Sequence, residues 1–145
     1  MTEPKSILFV DDDADDTFLF SEVVAEVDPA LLFTSAANGE EALQKLTARE
    51  APLPHLIFMD LNMPRMGGKE CLLAIKEHEK LKNIPVIMYT TSSYAKDRDE
   101  LMQMGATYYI TKPSNYNELK ETLTIVIGNI TNLPKAFEIL NSLLV

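Results

Sequence analysis

The run Leu56-Ile57-Phe58-Met59 carries no polar side chain, and it stops at Asp60, where Leu61-Asn62-Met63-Pro64-Arg65-Met66-Gly67-Gly68 opens a Pro/Gly loop. An apolar run bounded in this way reads as a strand buried on both faces, which requires helices above and below its sheet. Four similar runs accompany it: Ile7–Val10, Leu31–Ser35, Val86–Tyr89 and Tyr108–Thr111. Helical patterns lie between them at Asp16–Val27, Glu40–Ala48, Gly68–His78 and Lys96–Met104, and Tyr116–Ile127 follows the last run. Strands alternating with helices predict βαβ units, a parallel sheet, and right-handed crossovers that place helices on both faces. Asn38-Gly39, Pro52, Pro54, Asn83, Pro85 and Gly105 punctuate the boundaries.

A length of 145 residues suits one domain, and 46% hydrophobic with 24% charged residues allows a core and a soluble surface. No apolar stretch is long enough to cross a bilayer, and Met1–Ser6 lacks the pattern of a secretory signal. Cys71 is the only cysteine, which excludes an internal disulfide and suits a cytoplasmic setting. A net charge of −9 argues against nucleic acid and anionic membrane as partners, since both need a basic surface.

The main domain is expected over residues 1–130, with 131–145 as a short helical extension. Pro134 suits a helix start, and Phe137, Leu140 and Leu144 fall on one face. That face is expected to pack on the parent domain rather than to recruit a partner.

The chemistry collects at strand ends. The first strand ends at Asp11-Asp12-Asp13, the third at Asp60, the fourth at Thr90-Thr91-Ser92 and the fifth at Thr111-Lys112-Pro113. In a parallel sheet these ends share one edge, where ligands bind in open α/β folds. Packed carboxylates take up protons unless a cation sits among them, and all-oxygen ligation suits Mg²⁺. With the charge offset, one carboxylate can act as a nucleophile, and phosphoryl transfer then needs alignment and charge neutralisation. Lys112 can neutralise a phosphoryl oxygen, and the Thr90 hydroxyl can hydrogen-bond another.

Each residue also has a plainer role. The aspartates can be solvated acids, and for Asp13 a helix cap is preferred because the helix starts just beyond. Asp60 can be a turn residue, Thr90 a β-former and Lys112 a surface lysine. Four independent strand ends are unlikely to carry this set by chance. His55 and His78 show no metal-ligand spacing, and Cys71 reads as a small buried apolar group.

In combination, Val10-Asp11-Asp12, Asp60-x-x-Met63-Pro64-x-Met66-x-Gly68, Pro85-Val86-Ile87-x-x-Thr90 and Tyr109-x-x-Lys112-Pro113 resemble the receiver domain of bacterial two-component response regulators, over roughly Ser6 to Ile127. The resemblance implies a flavodoxin-like (βα)5 fold with a five-stranded parallel sheet in the order 2-1-3-4-5. It implies that Asp60 is the phosphoacceptor, that Asp12 binds Mg²⁺ directly and Asp11 through water, and that Asn62 offers a backbone carbonyl. Thr90 and Lys112 would contact phosphoryl oxygens, and Tyr109 would be the switch aromatic. The fourth helix, fifth strand and fifth helix would form the output face, and Lys112-Pro113 is a candidate cis bond. Three positions depart from the pattern: Thr91 where a small residue is usual, Gly67 where Asp is common, and Ser114 where Phe is frequent.

The expected function is a phosphoryl-accepting switch without a turnover substrate, hence not an enzyme in the ordinary sense. Its phosphoryl donor would be a histidine kinase or phosphotransfer protein, and its output a downstream protein or a homodimer. One rival is an aspartate-nucleophile phosphatase of the haloacid dehalogenase type, whose Asp-x-Asp motif Asp11-x-Asp13 mimics. The other is a phosphate-independent receiver-like binding module.

Overall fold

The computed structural model describes residues 4–143. Five strands, β1 (Ser6–Val10), β2 (Leu32–Ala36), β3 (Leu56–Met59), β4 (Val86–Thr90) and β5 (Tyr108–Thr111), form one sheet in the order β2-β1-β3-β4-β5, with every pairing parallel. The helices are α1 (Ala14–Val27), α2 (Gly39–Thr47), α3 (Gly68–Glu77), α4 (Ala95–Gln103), α5 (Tyr116–Gly128) and α6 (Leu133–Leu143). This is the flavodoxin-like order expected from the sequence. Among the described residues, no helix is long and apolar enough to cross a membrane.

Alternate residues of each strand feed two cores. Ile7, Phe9, Phe58, Ile87 and Tyr89 pack under α1 and α5 with Phe20, Val23, Leu119 and Leu123. Leu8, Val10, Ile57, Met59 and Met88 pack against α2, α3 and α4 with Ala42, Leu72, Ile75 and Leu101. Burial on both faces explains why the central strands β1, β3 and β4 read as continuous apolar runs, whereas the edge strands β2 and β5 are only partly buried. The first core is rich in aromatics: the Phe20 ring stacks on Phe9 at 4.1 Å and meets Phe58 edge-on at 4.9 Å.

Element ends differ slightly from the sequence pattern, and local chemistry accounts for it. Helix α1 starts at Ala14 rather than Asp16, because the Asp13 carboxylate caps it by accepting from the Asp15 and Asp16 N–H groups. Asn38 and Asn115 cap α2 and α5 in the same way. Strand β4 runs one residue further, to Thr90, because β5 pairs alongside it there. The residue after α4 and its cap is Gly105, whose φ of +109° carries the chain through a conformation that a side chain disfavours. The Lys112–Pro113 bond is trans, not cis: the described residues contain no cis peptide, and trans is the lower-energy form of an X–Pro bond.

The tail forms a helix that packs back on the domain. Leu133, Ala136 and Leu140 of α6 are buried, and the two leucines join the α1/α5 core. Phe137 lies flat on Tyr108 of β5, with ring centroids 4.3 Å apart and planes 6° apart, and the Tyr108 hydroxyl donates to Asn141 Oδ1 at 2.5 Å. Leu144, assigned to the same face from sequence, lies outside the described residues. Phe137→Ala is expected to lower unfolding free energy by about 1–2 kcal/mol, read by urea denaturation, because the ring is only half-buried yet stacked. Wild-type stability in that variant would mean that the Phe137–Tyr108 stack contributes nothing to the fold.

Candidate functional site

The parallel hydrogen-bond ladder continues one residue past β1, β3 and β5, and this aligns the site. Asp11 N–H donates to Ala36 O at 3.0 Å, Asp60 N–H to Val10 O at 2.8 Å, and Lys112 N–H to Thr90 O at 2.7 Å. The three side chains therefore emerge at one edge of the sheet. Among the described residues the buried polar side chains are Asp11, Asp60 and Thr90, with 3%, 8% and 0% exposure. All three come from the set singled out in the sequence.

One carboxylate oxygen each from Asp11, Asp12 and Asp60 lies within 4.8 Å of the others. Asp11 and Asp60 are buried and Asp12 is exposed at the mouth. Lys112 reaches in from the end of β5, its Nζ donating to Asp11 Oδ2 at 2.8 Å and lying 3.6 Å from Asp60 Oδ2. Asp60 Oδ1 accepts the Leu61 N–H at 2.8 Å, and Asp11 Oδ1 accepts the Asp13 N–H at 2.9 Å. Asn62 stands in the loop two residues beyond Asp60. That loop returns tightly over Asp60: a Cβ on Gly68 would lie 2.1 Å from the Asp60 carbonyl oxygen, so only glycine permits the approach.

Burial, then the neighbouring Asp11 charge, pushes the Asp60 carboxyl above its ordinary range, partly offset by Lys112, the Leu61 N–H and Thr90. Burial does the same to Asp11, with the Lys112 and Asp13 hydrogen bonds opposing it. Burial alone would lower the Lys112 ammonium, but hydrogen bonds to Asp11 and Asp16, with the charges of Asp11 and Asp60, raise it overall. The donor set fits a hard divalent cation, because the clustered carboxylate oxygens are all hard ligands and burial of Asp11 and Asp60 disfavours their charge unless a cation offsets it.

These shifts carry a sign. A carboxyl whose pKa is raised by folding binds more protons folded than unfolded, so its contribution to stability falls as pH rises from 3.8 through the raised value. Asp60→Asn removes that charge while keeping an acceptor for the Leu61 N–H. In metal-free buffer the variant is expected to be more stable than wild type at pH 7, with the gap closing as pH falls toward about 4. Parallel urea titrations across pH measure it, and a gap independent of pH would refute the repulsion argument.

The switch candidates are physically linked. Thr90 Oγ1 accepts from the Ser92 N–H at 3.4 Å, and the half-buried Tyr109 donates its hydroxyl to Ser92 O at 2.7 Å. Ser92 in turn donates through Oγ to Asp97 Oδ2 of α4 at 2.9 Å. Thr90, Tyr109 and the first turn of α4 thus share one loop residue.

Other candidates fall away. Asp13 is the α1 cap, its carboxylate engaged by the Asp15 and Asp16 N–H groups, and it stands outside the Asp11, Asp12 and Asp60 cluster. Cys71 is buried, and burial pushes its thiol up to about 12, so no thiolate is available near neutral pH. His55 and His78 each accept a backbone N–H through Nδ1, from Ser6 and Lys80.

Two participants escaped the sequence reading: Asp16 Oδ2 accepts from Lys112 Nζ at 2.8 Å, and the Tyr89 ring centroid lies 5.7 Å from the same ammonium. Ser92, named in the sequence as part of the fourth strand end, joins Thr90 to Tyr109. Only Asp16 left a signal, three residues after the capping Asp13 and thus in the first turn of a helix that starts beside the site.

Comparison with known proteins agrees with this geometry. The model of the response regulator receiver domain matches residues 7–124. The chain is 34% identical over 120 residues to response regulator Rcp1 of Synechocystis sp., covering 80% of this chain and 82% of that protein. It is 32% identical over 126 residues to the polar-differentiation response regulator DivK of Brucella anthropi, covering 87% and 98%. The crystal structure of the phosphorylated cyanobacterial phytochrome response regulator RcpA superposes with a TM-score of 0.82 at 29% identity, over 89% of this chain and 95% of that one. The Mn²⁺-bound form of Rcp1 gives 0.77 at 31% identity, over 85% and 91%. With its acids, threonine and lysine gathered at the carboxyl edge of a 2-1-3-4-5 sheet, this chain belongs to the response regulator receiver domains of two-component signalling.

Proposed function

We propose that this receiver is a phosphoryl-accepting switch in which Asp60 takes a phosphoryl group from a phosphohistidine on a kinase or phosphotransfer protein. The observation that carries the reading is the buried Asp60 carboxylate, set among Asp11, Asp12 and Lys112 at the sheet edge. That RcpA was solved in a phosphorylated form, and Rcp1 with Mn²⁺, supports the same chemistry here.

An Asp60 carboxylate oxygen attacks the donor phosphorus, a P–O bond forms, the P–N bond to the donor imidazole breaks, and the imidazole leaves with the electron pair. Asp11, Asp12, Asp60 and the Asn62 carbonyl would hold Mg²⁺, which when bound neutralises charge on the carboxylates and on the transferred group. Lys112 follows the negative charge from the carboxylates to a phosphoryl oxygen, as a compact ammonium can. Thr90 donates its hydroxyl to a second oxygen, and a rotation of the side chain toward that oxygen would break its long 3.4 Å bond from the Ser92 N–H. Ser92 also holds Tyr109, so the loop and the aromatic move together and alter the surface of α4, β5 and α5. Hydrolysis of the acyl phosphate resets the pocket. The chain catalyses only its own modification, in the cytoplasm, and passes the state to a partner protein.

Incubation with acetyl phosphate, with and without Mg²⁺, followed by intact-mass measurement, tests the proposal. The expected result is a gain of one phosphoryl group only when the metal is present. A folded protein that gains none and also fails to bind beryllofluoride would overturn it.

A further inference from the structure

The ammonium of Lys112 has three donors and three carboxylates around it. It bonds Asp11 Oδ2 and Asp16 Oδ2, each at 2.8 Å, and stands back from Asp60 Oδ2 at 3.6 Å. Asp11 and Asp60 belong to the strand-end pocket. Asp16 does not: it projects from the first turn of α1, its side chain is 40% exposed while that of Lys112 is 12% exposed, and it stands outside the Asp11, Asp12 and Asp60 cluster.

We propose that Asp16 is a positioning residue that tethers Lys112 away from Asp60 and thereby weakens the pocket's hold on a phosphoryl group. This rests on the reading of Asp60 as phosphoacceptor. A phosphoryl oxygen on Asp60 needs the ammonium as counter-charge, and a Lys112 donor committed to Asp16 is not free to provide it. The charge of Asp16 acts in the same direction, since it repels an incoming anion. Asp16 is not needed to aim the lysine. Asp11 still holds Nζ, the Tyr89 ring lies 5.7 Å beneath it, and the Lys112 N–H is fixed to Thr90 O at 2.7 Å. Loss of Asp16 therefore releases Lys112 toward Asp60 without letting it leave the pocket.

Calorimetric titration with beryllofluoride in excess Mg²⁺ reads the effect on the intact chain. Asp16→Asn is expected to bind the phosphoryl mimic roughly three- to tenfold more tightly than wild type, as suits a partly exposed charge-assisted bond. The acyl phosphate formed from acetyl phosphate should be longer-lived by a similar factor. Asp16→Glu, which restores the charge, should return both values to near wild type, and a merely structural defect would not be rescued in this way. Unchanged or weaker binding in Asp16→Asn would overturn the tether, as would tighter binding shared by Asp16→Glu. These outcomes leave the phosphoacceptor reading intact as long as wild type itself is labelled. A wild type that neither binds the mimic nor takes up phosphate would remove that reading, and the tether with it.

Discussion

The Asp60→Asn substitution is expected to give a folded protein that takes up no phosphoryl group from acetyl phosphate, under conditions where wild type is expected to gain one per chain. The amide lacks the anionic oxygen that forms the P–O bond, and the neighbouring acids are less suited to replace it. Asp11 has both oxygens engaged, Oδ1 by the Asp13 N–H at 2.9 Å and Oδ2 by Lys112 at 2.8 Å. Asp12 is exposed, where water competes for a donor and for its acyl phosphate. The fold is expected to survive the change, because the amide oxygen of the variant can still accept the Leu61 N–H and the backbone N–H at the same position can still reach Val10 O. Loss of labelling therefore reports chemistry and not unfolding, and circular dichroism on the same sample establishes which. One phosphoryl group on the Asp60→Asn protein would assign the nucleophile elsewhere.

The fold was legible because burial on both faces leaves a continuous apolar signature in β1, β3 and β4, and β-branched and aromatic residues mark the partly buried edge strands. The pattern placed Leu56–Met59 and Tyr108–Thr111 where β3 and β5 lie, and displaced β2 by one residue because Leu31 is buried as core without pairing in the strand. The polar groups at strand ends were legible for a related reason: a parallel ladder fixes their direction once the strands are known. Side chains that enter the site from a helix or a neighbouring face carry no such signal. Asp16 looked like one more acid in an acidic first turn, since nothing in the chain says which side of α1 meets Lys112. Tyr89 looked like core, which it also is. The trans Lys112–Pro113 bond was hidden as well, because the energy between the two isomers is small and tertiary context selects one. The α6 helix was legible as a helix with an apolar face. Its stacking partner was not, since Tyr108 and Phe137 meet only after α5 has packed on the sheet.

Lys112→Ala is expected to damage both the stability and the phosphoryl binding of the pocket. It removes the ammonium that bonds Asp11 and Asp16 and lies 3.6 Å from Asp60. Breaking a buried ion pair from one side leaves an uncompensated charge, which typically costs about 3–5 kcal/mol. Here the loss should be nearer about 2–3 kcal/mol at pH 7 in metal-free buffer, because Asp11 and Asp60 can take up protons and Asp16 is solvated. The lysine lowers both buried carboxyls, so without it they rise further. The folded variant then binds still more protons relative to the unfolded chain, and its deficit grows as pH increases from about 4 to 7. Mg²⁺ should recover part of the stability, since a cation among the acids replaces the missing charge, but it should not recover phosphoryl binding. Affinity for beryllofluoride is expected to fall by about ten- to a hundredfold, the worth of one charge-assisted hydrogen bond. Urea denaturation at pH 5 and 7 and a beryllofluoride titration measure the two effects separately. Equal deficits at both pH values would mean that Lys112 acts by packing alone, and undiminished affinity would show that the phosphoryl group takes its counter-charge from another residue.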